Sequence, residues 1–263
     1  VIWIFTGLTG HGLWQSVEAD SMSQILDIIQ KNEFIAPLAA SNLSLTTPPL
    51  YSFVAAGFAK LFAFILPLHD GARLSNSLWA SMTLMSIGLA TRELWGIGYG
   101  RQAGLLFIAS IGLIINIHGL IPGIATLSGL SLCFYSFTLY YRRPFRSSIL
   151  MGSGLGISFL SGGFIPLIFI IATSFILYIF SFWRNSRYLT FIGLSIGIGI
   201  VIVSPWLIAM NYLHPQLFSN WLNQQIFTNS PSFLYQLSGI SWFTWPSLPL
   251  VLFTLYKGYK NIL

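Results

Sequence analysis

Long apolar runs, separated by short breaks that contain arginine, are the feature that most limits how this 263-residue chain can fold. Hydrophobic residues make up 55% of the sequence and charged residues only 7%, whereas soluble domains carry roughly 25% charged residues. A helix needs about 20 apolar residues to cross the hydrocarbon core of a bilayer. The pattern therefore predicts an all-α fold, a polytopic bundle of transmembrane helices that forms one domain over residues 1–263.

The predicted spans follow from the positions of the breaks. They cover residues 1–9 (the end of a span), 72–91, 102–119, 122–141, 147–161, 163–183, 188–210 and 240–257. The chain begins at Val1 inside an apolar run, and no finished domain follows the last span, so we interpret it as truncated at both ends. One further apolar run, residues 49–66, carries Lys60 in its centre and could either cross the membrane or lie at its surface.

The distribution of charge decides between these two alternatives, because cytoplasmic loops collect Lys and Arg. If residues 49–66 lie at the interface, nine of the twelve basic residues fall on one side of the membrane: Arg92, Arg101, Arg142, Arg143, Arg146, Arg184, Arg187, Lys257 and Lys260. We therefore adopt the interfacial interpretation. The net charge of +6 then indicates orientation and affinity for anionic membrane lipids, and no nucleic-acid partner is expected.

Two regions lie on the opposite, outer side, residues 10–71 and 211–239, and these are the candidate active-site regions. The first contains a predicted surface helix, residues 18–31, with Ile25, Ile28 and Ile29 at helical spacing.

Cys133 is the one cysteine, which excludes a disulfide framework and a thiol-based metal site. The glycine runs 152–156 and 193–199 predict close helix packing rather than phosphate binding.

Six stretches in order resemble the GT-C glycosyltransferases, and among these the ArnT-like and protein O-mannosyltransferase-like group. They are EAD (18–20), TPPLYSF (47–53), HDGARLSNSLWA (69–80), FLSGGFIPL (159–167), SPWL (204–207) and SWFTWPSLPL (241–250). The resemblance implies a GT-C bundle whose periplasmic first loop carries interfacial helices, located in the bacterial inner membrane. It also implies transfer of a sugar from a polyprenyl-phosphate donor to a lipid or glycan acceptor of the cell envelope, with lipid A modification as one case.

The resemblance also implies roles for individual residues. Glu18, with Asp20 as its neighbour, takes the place of the outer-loop carboxylate that acts as general base. The alternative is that both are ordinary acids at the start of a surface helix. Arg73, with His69 close by, takes the place of the group that binds the donor phosphate, and the alternative is a salt bridge from Arg73 to Asp70, three residues earlier.

Several positions depart from the family pattern. Val17 stands at the place of the family's first loop acid, Thr47 at the place of a lysine before Pro-Pro, Gly123 at the place of a second outer-loop aspartate, and Gly162 at the place of a lysine. His118 is a candidate to replace the missing aspartate as an acceptor or second-loop contact, or else it is a core residue. These changes remove charged groups from the implied site.

Three functions therefore remain open from the sequence. The first is a membrane glycosyltransferase, the second a catalytically degenerate GT-C-like protein that binds lipid, and the third a transporter, which the near absence of mid-membrane charge disfavours. The motifs identify no cofactor. The superfamily admits a divalent metal, for which Glu18 and Asp20 alone form a weak site.

Overall fold

The computed structural model describes residues 7–12, 16–38, 45, 47–179, 183–227 and 243–260. Over these residues the secondary structure is helical and contains no strand, as the sequence predicts. The helices are α1 (Ser16–Leu26), α2 (Leu50–Phe62), α3 (Leu68–Arg73), α4 (Ser75–Trp95), α5 (Tyr99–Ile108), α6 (Ile111–Ile117), α7 (Gly123–Leu139), α8 (Pro144–Gly162), α9 (Phe164–Ile179), α10 (Ser186–Leu213), α11 (Pro215–Phe227) and α12 (Ser247–Lys260), with a π-helical turn, Asp27–Lys31, after α1.

Helices α4, α7, α8 and α10 pack in that order, each against the next, and α9 packs against α8. Small residues form these interfaces. A side chain at Gly129 on α7 would meet the Gly154 carbonyl oxygen at 2.8 Å, and one at Gly154 would meet the Gly129 carbonyl oxygen at 2.7 Å. Helix backbones can approach this closely only where Cβ atoms are missing or small.

The predicted role of the two glycine runs is confirmed for the first and only partly for the second. Gly152, like Gly154, lies in tight contact with a neighbouring helix, since a Cβ there would meet Ile198 of α10 at 2.5 Å. A Cβ added at Gly193 or Gly197 on α10 would instead have no atom within 4 Å.

One helix among the described residues, Ser186–Leu213, is long and apolar enough to cross a membrane. Tyr99–Ile108 and Ile111–Ile117 would be a second crossing if they are counted as one span, but they meet at an angle of 67°. The span predicted over 102–119 is therefore bent between α5 and α6. Helix α9 presents a large apolar surface, with Ile168 63% and Phe169 65% exposed, as expected for a helix that faces lipid.

The break between α5 and α6 is stabilised by the first residue of α12 and by the segment just before it. The Ile111 N–H donates to the Trp245 carbonyl oxygen over 3.1 Å, and the Ser110 and Ser247 hydroxyl oxygens lie 3.2 Å apart. A Cβ at Gly112 would meet the Phe243 carbonyl oxygen at 2.8 Å, so the two segments are in direct contact.

The outer region packs on one end of the bundle. Ile25 and Ile28 of the predicted surface helix are buried in a cluster with α2, as their spacing predicts. Helix α2 has 13 residues and is thus about 20 Å long, shorter than the roughly 30 Å hydrocarbon core. Its length agrees with the interfacial interpretation of residues 49–66.

The second outer region joins the first through α10 and α11. The Trp206 indole N–H donates to the Ile35 carbonyl oxygen over 2.9 Å, and Trp221 of α11 is buried beside Ala36 and Leu45. The remaining part of the second region, residues 228–239, lies outside the described residues, as do residues 1–6 of the first predicted span and 240–242 of the last.

Candidate functional site

Arg73 lies at the centre of a buried polar cluster where α3 meets α4. Its side chain has no exposed surface. Nη1 donates to the His11 carbonyl oxygen over 2.6 Å and to Asp70 Oδ1 over 3.2 Å, and Nη2 donates to the Gly12 carbonyl oxygen over 2.8 Å. The salt bridge from Arg73 to Asp70, named above as the alternative to phosphate binding, is therefore present in the structure.

Glu18 is the second acid that faces Arg73. The first turn of α1 directs Glu18 inward, where it is 2% exposed, and Val17 outward. Both Glu18 carboxylate oxygens lie 3.5 Å from Arg73 Nη2, and Oε1 also accepts the Leu120 N–H over 2.9 Å. Glu18 is thus part of the buried cluster and does not point into bulk water.

The other predicted site residues occupy less central positions. Asp20 is partly exposed, and two residues along a helix turn it by about 200° from Glu18. His69 Nε2 lies 3.6 Å from Asp70 Oδ1 and the His69 side chain is 34% exposed. His118 Nδ1 lies 2.9 Å from the Ile114 carbonyl oxygen, and its ring is beside Gly7. All three are at the same end of the bundle as Arg73.

Two further buried residues, Asn76 and Tyr51, lie beside this cluster and were not predicted as site residues from the sequence. The Asn76 amide nitrogen donates to the Ile117 and Gly119 carbonyl oxygens over 2.8 and 2.7 Å. The Tyr51 hydroxyl donates to Asn76 Oδ1 over 2.9 Å, and its burial raises the pKa of Tyr51 above the usual value. The sequence signal that could have found them is Asn76, an amide in the first turn of an apolar helix.

The segment between α6 and α7 separates the cluster from a cleft of about 770 Å³. Glu18 bonds this segment at Leu120, and Asn76 bonds it at Gly119 and also bonds Ile117, the last residue of α6. The next residue of the segment, Ile121, lines the cleft. Other residues that line the cleft include Ser110, Asn116, Gly123, Thr126 and Gly162. Two of the positions that depart from the family pattern therefore face one cavity.

The turn at Gly162 and Gly163 is closely covered. Gly163 has φ +73°, and a Cβ at Gly162 would meet Thr126 Oγ1 at 2.7 Å. The Phe164 N–H donates to Gln225 Oε1 of α11 over 3.4 Å. Neighbouring side chains pack closely around this turn, so position 162 accommodates glycine and leaves little room for a lysine side chain.

The residues present do not fit a divalent metal. Within the described part of the chain no three His, Cys, Asp or Glu side chains come together as a metal site. Glu18 faces the Arg73 cation instead, and a cation next to the carboxylate opposes binding of a second positive charge.

Comparison with known proteins gives a structural likeness alone. No protein-family model matches the chain, and no curated protein sequence matches it. ArnT from Cupriavidus metallidurans in the apo state is similar over 93% of this chain and 46% of its own, at a TM-score of 0.78 and 16% identity. The same protein bound to undecaprenyl phosphate is similar over 86% of this chain and 42% of its own length, at a TM-score of 0.74 and a sequence identity of 14%. This chain thus spans less than half the length of those structures and shares the all-helical fold of ArnT.

Proposed function

We propose that this chain is part of a membrane glycosyltransferase that takes a sugar from a polyprenyl-phosphate donor and transfers it to a lipid or envelope acceptor. The observation that carries the proposal is the buried Glu18–Arg73–Asp70 cluster, in which Arg73 Nη1 lies 3.2 Å from Asp70 and Nη2 3.5 Å from Glu18. Buried charges in membrane proteins are rare and commonly mark functional sites. The ArnT-like fold supports the choice of reaction, since one ArnT structure contains undecaprenyl phosphate.

The proposed mechanism assigns one role to each charged group. Glu18 accepts the proton of the acceptor hydroxyl as that oxygen attacks the anomeric carbon of the donor sugar. The bond between the sugar and the phosphate oxygen breaks, and Arg73 with His69 stabilises the charge of the departing polyprenyl phosphate. The reaction would take place on the periplasmic face of the bacterial inner membrane, because the cluster lies at the end of the bundle opposite the arginine-rich breaks.

Arg73 has one donor left for an incoming anion. Its Nε is buried, and among the described residues no acceptor is bonded to it. An unsatisfied buried donor costs about 1–3 kcal/mol, so a phosphate oxygen that reached Nε would recover this energy. Two of the present partners of the guanidinium are backbone carbonyls of residues 11 and 12, which a shift of that short segment would release.

The degenerate, lipid-binding alternative is favoured by a different observation. The two Nη atoms of Arg73 are fully engaged by His11, Gly12, Asp70 and Glu18. In that alternative the cluster only fixes the outer region to the bundle, and the fold keeps a lipid-binding role without transfer chemistry.

A sugar-transfer assay separates the two. The full-length protein would be incubated with a radiolabelled polyprenyl-phosphate sugar, together with Glu18→Gln, Arg73→Lys and, as a matched control, Glu93→Gln at the other end of the bundle. Loss of a general base lowers the rate about 100-fold or more, so we expect Glu18→Gln to lose transfer and Glu93→Gln to keep it. Unchanged transfer in Glu18→Gln would exclude it as the base, and no transfer by the parent with several donors would favour the degenerate protein.

A further inference from the structure

A second cavity, of about 420 Å³, lies between the end of α4 and the start of α5. Arg92 and Arg101 line it from the two helices, and Met85, Leu89 and Ile97 form its apolar wall. Its floor is backbone, because a Cβ at Gly100 would meet the Gly88 carbonyl oxygen at 2.6 Å. The cavity therefore combines two cations, a small polar floor and an apolar side.

Within the described part of the chain, the guanidinium groups of Arg92 and Arg101 form no hydrogen bond and no ion pair. The acid of this break, Glu93, is bonded instead to Arg142 of the next break, over 2.8 Å. Two like charges that share a cavity repel each other, and one bound anion would offset both.

The position of the cavity limits which anion can occupy it. Helix α4 has 21 residues, which corresponds to roughly 30 Å along its axis, and Arg92 lies in its last turn. This length matches the hydrocarbon core of a bilayer. In the arrangement predicted from the sequence, residues 72–91 cross the membrane, which puts the cavity at the boundary on the arginine-rich side, where anionic lipid headgroups are found.

We propose that this cavity binds the phosphate of an anionic phospholipid headgroup, with Arg92 and Arg101 as its ligands and one acyl chain against Met85, Leu89 and Ile97. Arginine suits the role because its planar fork makes paired hydrogen bonds to phosphate. Ile97 is 87% exposed, as expected for a side chain that contacts a lipid chain. The proposal depends on membrane insertion and is independent of any transferase activity.

Native mass spectrometry of the purified full chain in an uncharged detergent tests the proposal. Phosphatidylglycerol would be titrated against the parent, against Arg92→Gln/Arg101→Gln, and against Arg143→Gln/Arg146→Gln. The last pair removes the same charge from exposed positions in the adjacent break and is the matched control. A hydrogen bond to a charged group contributes about 1.5–3 kcal/mol, so loss of the arginine–phosphate contacts corresponds to binding that is roughly tenfold weaker or more, whereas the control pair loses no contact in the cavity.

We expect phosphatidylglycerol to bind roughly tenfold more weakly to Arg92→Gln/Arg101→Gln and unchanged to the control pair. Each single variant should lie between parent and double variant, which provides a reading even if the double variant is poorly folded. Zwitterionic phosphatidylcholine should bind all forms equally weakly.

Equal loss of binding in both double variants would show a diffuse charge effect and would contradict the proposed lipid site. Displacement of the lipid by millimolar inorganic phosphate would show a site for free phosphate and would also overturn the lipid assignment.

Discussion

Arg73 joins four acceptors from three separate parts of the chain, namely His11 and Gly12, Glu18, and Asp70. The two carboxylates carry the same charge and are nearly as buried as Arg73 itself, at 2% and 4% exposed. A buried acid pair of this kind is tolerated only when a cation lies between its members. Arg73 is thus required for the stability of the outer region in addition to any role in binding phosphate.

Replacement of Arg73 should therefore destabilise the protein more than replacement of Glu18. Arg73→Met leaves two buried carboxylates without a cation and should lower the free energy of unfolding by about 3–5 kcal/mol. Glu18→Gln leaves Arg73 paired with Asp70 and should cost about 1–3 kcal/mol. Unfolding in mixed micelles measures both, with exposed Arg143→Met as the control. Equal losses in the first two variants would contradict this account of the cluster.

At the residue scale the sequence predicted part of this cluster. Glu18, Arg73 and Asp70 could be named because charges are rare in the chain and stand at the ends of apolar runs. The contact between Glu18 and Leu120, 102 residues apart, could not be read from local patterns. Asp20 looks equivalent to Glu18 in the sequence, and only the rotation of α1 separates a buried acid from a partly exposed one.

At the scale of elements, the interface of α7 and α8 depends on glycine. Glycine to alanine usually stabilises a helix by about 0.5–1 kcal/mol. At Gly154 the added methyl would meet Cys133 Sγ at 2.6 Å and the Gly129 carbonyl oxygen at 2.7 Å. We expect Gly154→Ala to destabilise the protein by about 1–3 kcal/mol.

The matched control for that variant is Gly197→Ala on α10, where a Cβ would face open space. It should leave the free energy of unfolding unchanged or raise it by up to about 1 kcal/mol. Thermal unfolding in detergent would compare both with the parent. A Gly154→Ala variant as stable as Gly197→Ala would show that α7 and α8 are farther apart than described.

The junction of α5, α6 and α12 can be tested by cross-linking. In a Cys133→Ser background, Ser110→Cys and Ser247→Cys place two thiols where hydroxyl oxygens now lie 3.2 Å apart. A disulfide should form rapidly on mild oxidation, because its geometry requires close Cβ atoms. Ser110→Cys with Thr254→Cys, about 10 Å further along α12, is the control and should stay reduced. Mass spectrometry of the free thiols measures the result.

The break at this junction was not predictable from the local sequence. Residues 102–119 contain no proline and read as one apolar run, which favours a continuous helix. The partners that satisfy the broken backbone, Trp245 and Ser247, come more than 120 residues later. Conversely, the break between α8 and α9 could be predicted, since two adjacent glycines stand there and Gly163 adopts a positive φ.

For the whole molecule, apolar runs and ordered motifs were enough to predict an all-helical fold like that of ArnT, which the structural likeness confirms. Membrane insertion itself can be measured by alkaline carbonate extraction of membranes that contain the expressed chain. We expect the chain to remain in the pellet, because helices such as α9 expose apolar side chains that water solvates poorly. Release of most of the chain into the supernatant would contradict the membrane assignment.

The hydrogen bond from Leu120 to Glu18 also constrains the order in which the molecule can assemble. A ribosome must synthesise residue 120 before Glu18 acquires this partner, and Trp206 follows much later to bond Ile35. The first outer region is therefore synthesised well before the residues that complete its contacts, Leu120 and Trp206. Glu18 can reach its buried position with both of its partners, Arg73 and the Leu120 N–H, only after α4 to α6 have been made.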